Sequence, residues 1–210
     1  MNKALIFDLD GTLWDSSESV CASWNIVFRR YPEISRVLTP ADTRSYMGKT
    51  LDQIFPLALP DAPDELRRKV LRECVIYELE YIAQHGGVLY PRLRETLETL
   101  KKTYTLIIVS NCQDGYIQCF LDFAGMRDIF DDFESAGATG LSKGENIKLV
   151  VERNNIEKAV YIGDTQGDLD SADFAGVQFI RAAYGFGQMN RPVPEIREFC
   201  ELPEKAAEML

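Results

Sequence analysis

Lys3 to Asp10 reads KALIFDLD, a short apolar run with β-branched and aromatic side chains that ends on acid and then Gly11. This is the pattern of a buried strand emptying into a turn, and it places carboxylates at the strand's C-terminal end. Runs of the same kind return after about residue 85, at YTLIIVS (Tyr104 to Ser110), AVYIGD (Ala159 to Asp164) and VQFIRA (Val177 to Ala182). Helical spacing separates them: Leu93, Leu97 and Leu100, then Ile117 to Phe123, Ile147 to Val151, and Leu169 to Phe174. Strands and helices in alternation predict an α/β fold, a doubly wound, mostly parallel, Rossmann-like sheet with helices on both faces.

The stretch between the first strand and the rest has a different texture. Asp15 with Glu18 three residues on suits a capping box, and Val20, Trp24, Val27, Phe28 and Tyr31 follow at helical intervals, predicting a helix over Ser16 to Arg30. Thr39 and Pro40 open a second helix that Gly48 can end, Leu51, Ile54 and Phe55 suggest a short third, and Asp64 to Gln84 gives a long fourth stopped by Gly86 and Gly87. Residues 15–84 therefore read as wholly helical, a small cap domain inserted into a catalytic core made of 1–14 and 85–210.

Composition narrows the function classes. With 210 residues, 46% of them hydrophobic, the chain has room for one large domain or two unequal ones. Lys plus Arg number 23 against 33 Asp plus Glu, and the net charge of −10 argues against nucleic acid or an anionic membrane as partner. No stretch approaches the roughly 20 apolar residues of a spanning helix. The N-terminus lacks the basic start and long apolar core of a signal peptide, so a cytoplasmic location is expected. Nothing demands more than a monomer. Five cysteines without CxxC spacing suit neither a disulfide framework nor a zinc site, and Cys112 is the one placed near candidate chemistry. His85, the lone histidine, reads as a hinge or surface residue.

Parallel sheets bind ligands at the carboxyl ends of their strands. That rule selects Asp8 and Asp10, Ser110 and Asn111, Asp164 with Asp168 one turn further, and Lys143 in the glycine-containing loop GLSKGEN. Trp14 lies in the chain leading away from the first acids. In this order the segments DLDGT, SN, a lone lysine and GDTQGD resemble the motifs of the haloacid dehalogenase superfamily of phosphohydrolases, in the branch with an inserted helical cap that includes phosphoglycolate phosphatases and β-phosphoglucomutases. The resemblance spans nearly the whole chain.

Physical chemistry supports it independently. A phosphate monoester is nearly a dianion at neutral pH, and Asp8, Asp10 and Asp164 gathered at one point would repel both it and one another. A hard divalent cation with oxygen ligands is implied, and Mg²⁺ is the expected one. Lys143 adds a point charge, and the Ser110 hydroxyl and Asn111 amide can donate to phosphate oxygens. The resemblance implies that Asp8 attacks phosphorus to form an aspartyl phosphate, that Asp10 is general acid and base and gives its backbone carbonyl to the metal, that Asp164 is a metal ligand, and that Asp168 is a weaker position acting directly or through water. Asp8 and Asp10 would face one way if the strand continued through both. Gly48 and Lys49 are the cap residues expected to face the core, by the same resemblance, with Trp14 a further candidate for contact with a small phosphorylated metabolite.

Each residue also has a plainer reading. DLDGT is also a strand-to-turn signal, the acids of GDTQGDLDSAD also favour a helix N-terminus, and a lysine such as Lys143 is by default solvated. Other members of the superfamily fit less well. Dehalogenases work without metal and lack the second aspartate. Phosphonoacetaldehyde hydrolases replace that aspartate and carry a Schiff-base lysine several residues past the cap glycine, whereas here Lys49 follows Gly48 directly. β-Phosphoglucomutases keep both aspartates and remain the alternative, although their cap histidine corresponds to Val20. From other classes, a signalling receiver domain is shorter and carries its phosphoacceptor in mid-chain, and a non-catalytic binding module would lack a motif residue.

Overall fold

The computed structural model describes residues 2–210. In chain order its elements are β1 (Lys3–Phe7), β2 (Trp14–Asp15), α1 (Ser17–Phe28), α2 (Pro40–Tyr46), α3 (Leu51–Ala58), α4 (Asp64–His85), β3 (Val88–Leu89), α5 (Leu93–Leu100), β4 (Thr105–Ser110), α6 (Tyr116–Phe123), β5 (Asp132–Ser135), α7 (Ala136–Thr139), α8 (Lys143–Arg153), β6 (Lys158–Gly163), α9 (Gln166–Ala175), β7 (Gln178–Ala182), β8 (Glu195–Ile196) and α10 (Leu202–Met209).

Six strands form one sheet in the order β5-β4-β1-β6-β7-β8, and every neighbouring pair is parallel. The first strand is thus central. Its alternation shows why the run KALIF has no polar face: Leu5 and Phe7 enter the core shared with α5, α6 and α10, while Ala4 and Ile6 enter a second core under α8 and α9. Phe7 pairs with Ile108 of β4 and with Ile162 of β6, so the chain segments that follow β1, β4 and β6 emerge side by side. Helices cover both faces, as the doubly wound reading requires.

The four helices α1 to α4 pack on one another over the C-terminal edge of this sheet, with Trp24 of α1 against Phe55 of α3 at 5.2 Å between ring centroids. The chain leaves the sheet through β2 and returns through β3, which pair antiparallel as Trp14 with Leu89 and Asp15 with Val88. Asp15 is therefore in a strand, and residues 15–84 are not helical throughout. The capping box of Asp15 and Glu18 does not form: α1 begins after Ser16, and Asp15 Oδ1 instead accepts from the Ser17 N–H at 2.9 Å. Thr39 with Asp42 does make a capping box at the start of α2.

Several elements carry no strong sequence signal. β5 reads DFES because it is an edge strand, where Asp132 and Glu134 bind the Arg153 guanidinium at 2.7 Å. The two-residue strands β2, β3 and β8 are too short for any period to show. Among the described residues, no helix is long and apolar enough to cross a membrane.

Gly86 closes α4 with φ +59° and ψ −157°, a conformation open to glycine alone, and a Cβ there would lie inside the Phe123 ring. Gly86→Ala therefore adds backbone strain to a steric clash at the return from the helical block. It is expected to lower stability by roughly 2–4 kcal/mol in urea unfolding followed by circular dichroism.

Candidate active site

β1 ends at Phe7, the Asp8 N–H still donates to the Ile162 carbonyl at 2.8 Å, and the backbone bends at Leu9, between the two acids of DLDGT, so the alternation of a continuing strand does not orient both. Gly11, at φ +83°, makes the turn, and its bare Cα lets the Asp164 carboxylate come against the loop. Asp8 is buried with its carboxylate against Lys143 and the acids that follow β6, whereas the Asp10 carboxylate turns toward the helical block. Asp10 Oδ1 accepts from Trp14 Nε1 at 2.8 Å, from Ser16 Oγ at 2.5 Å and from Tyr116 OH at 3.1 Å.

Lys143 is neither in a loop nor solvated. It opens α8, after a capping box of Ser142 and Glu145, and is only 3% exposed. Its ammonium lies 2.6 Å from Asp168 Oδ1 and 2.9 Å from Asp8 Oδ1. The first contact is a hydrogen bond and the second is ionic without that alignment, leaving Asp8 Oδ1 without a hydrogen-bond partner. Asp168 combines both readings of its motif. As N3 of α9 it completes a capping box with Thr165, and its Oδ2 accepts from Thr165 N, Thr165 Oγ1 and Asp164 N at 2.8–3.1 Å. Asp164 is fully buried; Oδ2 accepts from Phe186 N at 2.7 Å, and Oδ1 has no partner.

Asp8, Asp164 and Asp168 each bring a carboxylate oxygen within 4.8 Å of the others. Three carboxylates against one ammonium leave two negative charges unmatched if all are ionised. Burial, followed by the charge of Asp168, pushes the Asp8 carboxyl up despite Lys143, and Asp164 is raised for the same reasons. Burial is also the largest cause that raises Asp10, to about 6, against the three donors that stabilise its anion.

Ser110 ends β4, buried at 5% exposure, beside Asn111, whose amide donates to the Gly48 carbonyl at 2.8 Å and so joins the sheet side to the loop after α2. Gly48 and Lys49 both line the cavity in front of Asp8 and Asp10. Lys49 is exposed there and its ammonium donates to the Ser45 carbonyl at 2.8 Å. Trp14 is not a cavity residue: it is fully buried among Tyr116, Phe120 and Phe123, and it acts on the site only through its bond to Asp10. Cys112 lines the cavity, but burial first and Asp10 second push its thiol up, so a reactive thiolate is disfavoured. His85 is exposed at the end of α4, stacked on Tyr81.

Sequence reasoning missed several contributors. Tyr116 and Ser16 hold Asp10, and Phe186, in the segment YGFG after β7, binds Asp164 through its backbone. The two glycines of that segment, at the C-terminal end of a parallel strand, were the available signal. Glu78 of α4 gave none. It is buried, faces the same cavity, and accepts from Gln113 Nε2 at 2.7 Å and from Trp24 Nε1. Burial pushes it up to about 7.

Comparison with known proteins agrees with this geometry. Haloacid dehalogenase-like hydrolases match residues 5–182. The chain belongs to that family. It is 28% identical over 198 residues to a phosphoglycolate phosphatase from Vibrio vulnificus, covering 88% of this chain and 85% of that one. A phosphoglycolate phosphatase from Aquifex aeolicus is 24% identical over 204 residues, covering 92% and 90%. The crystal structure of a predicted phosphoglycolate phosphatase from Haemophilus somnus superposes with a TM-score of 0.83 at 21% identity, covering 98% of both chains, and so shares the fold. The enzyme is a phosphatase of the haloacid dehalogenase-like family.

The raised carboxyls have a consequence for stability. Asp10 near 6 and Glu78 near 7 hold protons in the folded enzyme that the unfolded chain has already released above about pH 4–5. Folded pKa values above unfolded ones mean that stability falls as pH rises through this window. Without divalent ions, Tm is therefore expected to drop by several degrees between pH 5 and pH 8, Glu78 alone accounting for roughly 3 kcal/mol. Differential scanning calorimetry at the two pH values checks it.

Proposed function

We propose that the enzyme is a Mg²⁺-dependent phosphatase that hydrolyses a small phosphorylated metabolite through an aspartyl phosphate on Asp8, in the cytoplasm. The carrying observation is the buried charge imbalance around Asp8, Asp164, Asp168 and Lys143. Asp164 Oδ1 is a buried oxygen with no partner and Asp8 Oδ1 has only the Lys143 ammonium beside it, which is the donor chemistry a hard dication needs. Asp8 and Asp164, with the Asp10 backbone carbonyl, would hold Mg²⁺. Bound there, it supplies charge neutralisation to these carboxylates and to the phosphoryl oxygens.

The side chains divide the remaining work. Asp8 attacks phosphorus as the bond to the leaving oxygen breaks, and Asp10 gives that oxygen its proton. In the second step Asp10 takes a proton from water, which attacks the phosphoryl group and frees Asp8 and inorganic phosphate. Trp14, Ser16 and Tyr116 fix the Asp10 carboxyl for both transfers. Lys143, Ser110 and Asn111 face the phosphoryl oxygens, and Asp168 holds Lys143 and the Asp164 turn in place.

Residues 15–84 act as a cap over a core of 1–14 and 85–210. The paired strands β2 and β3 are the crossing point, and the bond from Asn111 to Gly48 is a contact that the cap makes when closed. Val20 lines the cavity where a mutase would carry an imidazole, which favours hydrolysis over transfer between two positions of a sugar.

Asp8→Asn is expected to abolish release of phosphate from p-nitrophenyl phosphate with an unchanged circular dichroism spectrum. Asp10→Asn should lower kcat by roughly 10²–10⁴ with little change in KM, because it acts in both proton transfers. Chelation should remove activity, Mg²⁺ restore it, and Ca²⁺ restore it poorly, since calcium takes more ligands at longer distances. Full turnover in excess EDTA would overturn the metal assignment.

A further inference from the structure

The cavity in front of Asp8 extends into the helical block, whose walls there are mostly apolar, Val20, Trp24, Leu51 and Ile54, with Thr43 and Tyr46 the neutral polar residues among them. Among the described lining residues this block contributes one carboxylate, Glu78, and one ammonium, Lys49. The two are not equivalent. Lys49 is exposed and bound to the Ser45 carbonyl, whereas Glu78 is 3% exposed and held rigidly between Trp24 Nε1 and Gln113 Nε2. Each Glu78 oxygen accepts one of these bonds and keeps a second lone pair.

Beyond the phosphoryl site, the leaving group of a substrate therefore meets apolar walls and a fixed acceptor. A carboxylate or second phosphate on that leaving group would lie among Glu78, Asp10 and apolar side chains without a buried cation to pair with. A hydroxyl or amino group would instead find its acceptor. We propose that Glu78 selects the leaving group: a short alcohol that carries an O–H or N–H donor, in preference to one that carries an acid. This rests on the phosphatase reading above, and it departs from the carboxylate-bearing ester in the names of the relatives.

The test compares, at pH 8.5 where the Glu78 carboxyl is ionised, kcat/KM of the Mg²⁺-loaded enzyme for glycerol 3-phosphate, O-phosphoethanolamine and 2-phosphoglycolate, three monoesters that differ in the distal group. Each donor-bearing ester is expected to exceed phosphoglycolate at least tenfold. Glu78→Gln should reduce that ratio at least tenfold, the amino ester losing more than the hydroxyl ester because its charge pairing also goes. Equal or better turnover of phosphoglycolate by the wild type would overturn the proposal whether or not the variant folds. A uniform fall for all three esters in Glu78→Gln would also overturn it, leaving Glu78 only a structural tie. So would a selective loss of phosphoglycolate turnover in Lys49→Ala, which would assign selection to Lys49. Failure of the phosphatase reading looks different: no phosphate would be released from any of the three or from p-nitrophenyl phosphate, and the proposal would fall with it.

Discussion

The ion cluster at the end of the central strand organises the part of the molecule built on the sheet. Lys143 is buried between Asp8 and Asp168, and taking an ammonium out of water is tolerable only because two carboxylates reach it. Those carboxylates in turn are tolerable only because Lys143 and the turn around Thr165 receive them. Asp164 is left with an unpartnered oxygen in the same place. The site is thus an arrangement of charge held out of balance by the ends of β1 and β6 and the start of α8, and the parallel pairing of β1 with β6 is what brings those strand ends together.

A second polar layer lies above the first and ties the helical block to the sheet. Asp10 accepts from Trp14, Ser16 and Tyr116, while Glu78 links Trp24 of the block to Gln113 of the sheet side. Both carboxylates are desolvated, and both are raised above their ordinary range by burial more than by any neighbour. Tyr116 feels both of them. On the proposed reading, proton transfer at Asp10 and recognition of the leaving group at Glu78 would be adjacent functions of this one polar layer.

Much of this was readable before any coordinates. Apolar runs buried on both faces, as at Leu5 and Ile6, leave few arrangements other than a parallel sheet covered by helices, and the acids at their ends mark the ligand side. The four-helix stretch was equally visible from its spacing and from caps such as Thr39 and Pro40. Edge elements such as β5 were not, because a half-exposed strand paired through Arg153 has polar residues where an apolar alternation would be sought.

Residue type and order along the chain determined which side chains could do chemistry, since carboxylates and small donors follow the central strands and a lysine opens the helix before β6. What they could not determine was direction. Whether Lys143 is solvated or buried, whether Trp14 faces substrate or packs behind Asp10, and whether Glu78 on a long surface-like helix turns inward all depend on contacts between segments far apart in sequence. Those contacts exist only once the helical block lies on the sheet, because burial and the pairing of charges are properties of the packed chain and not of any local stretch.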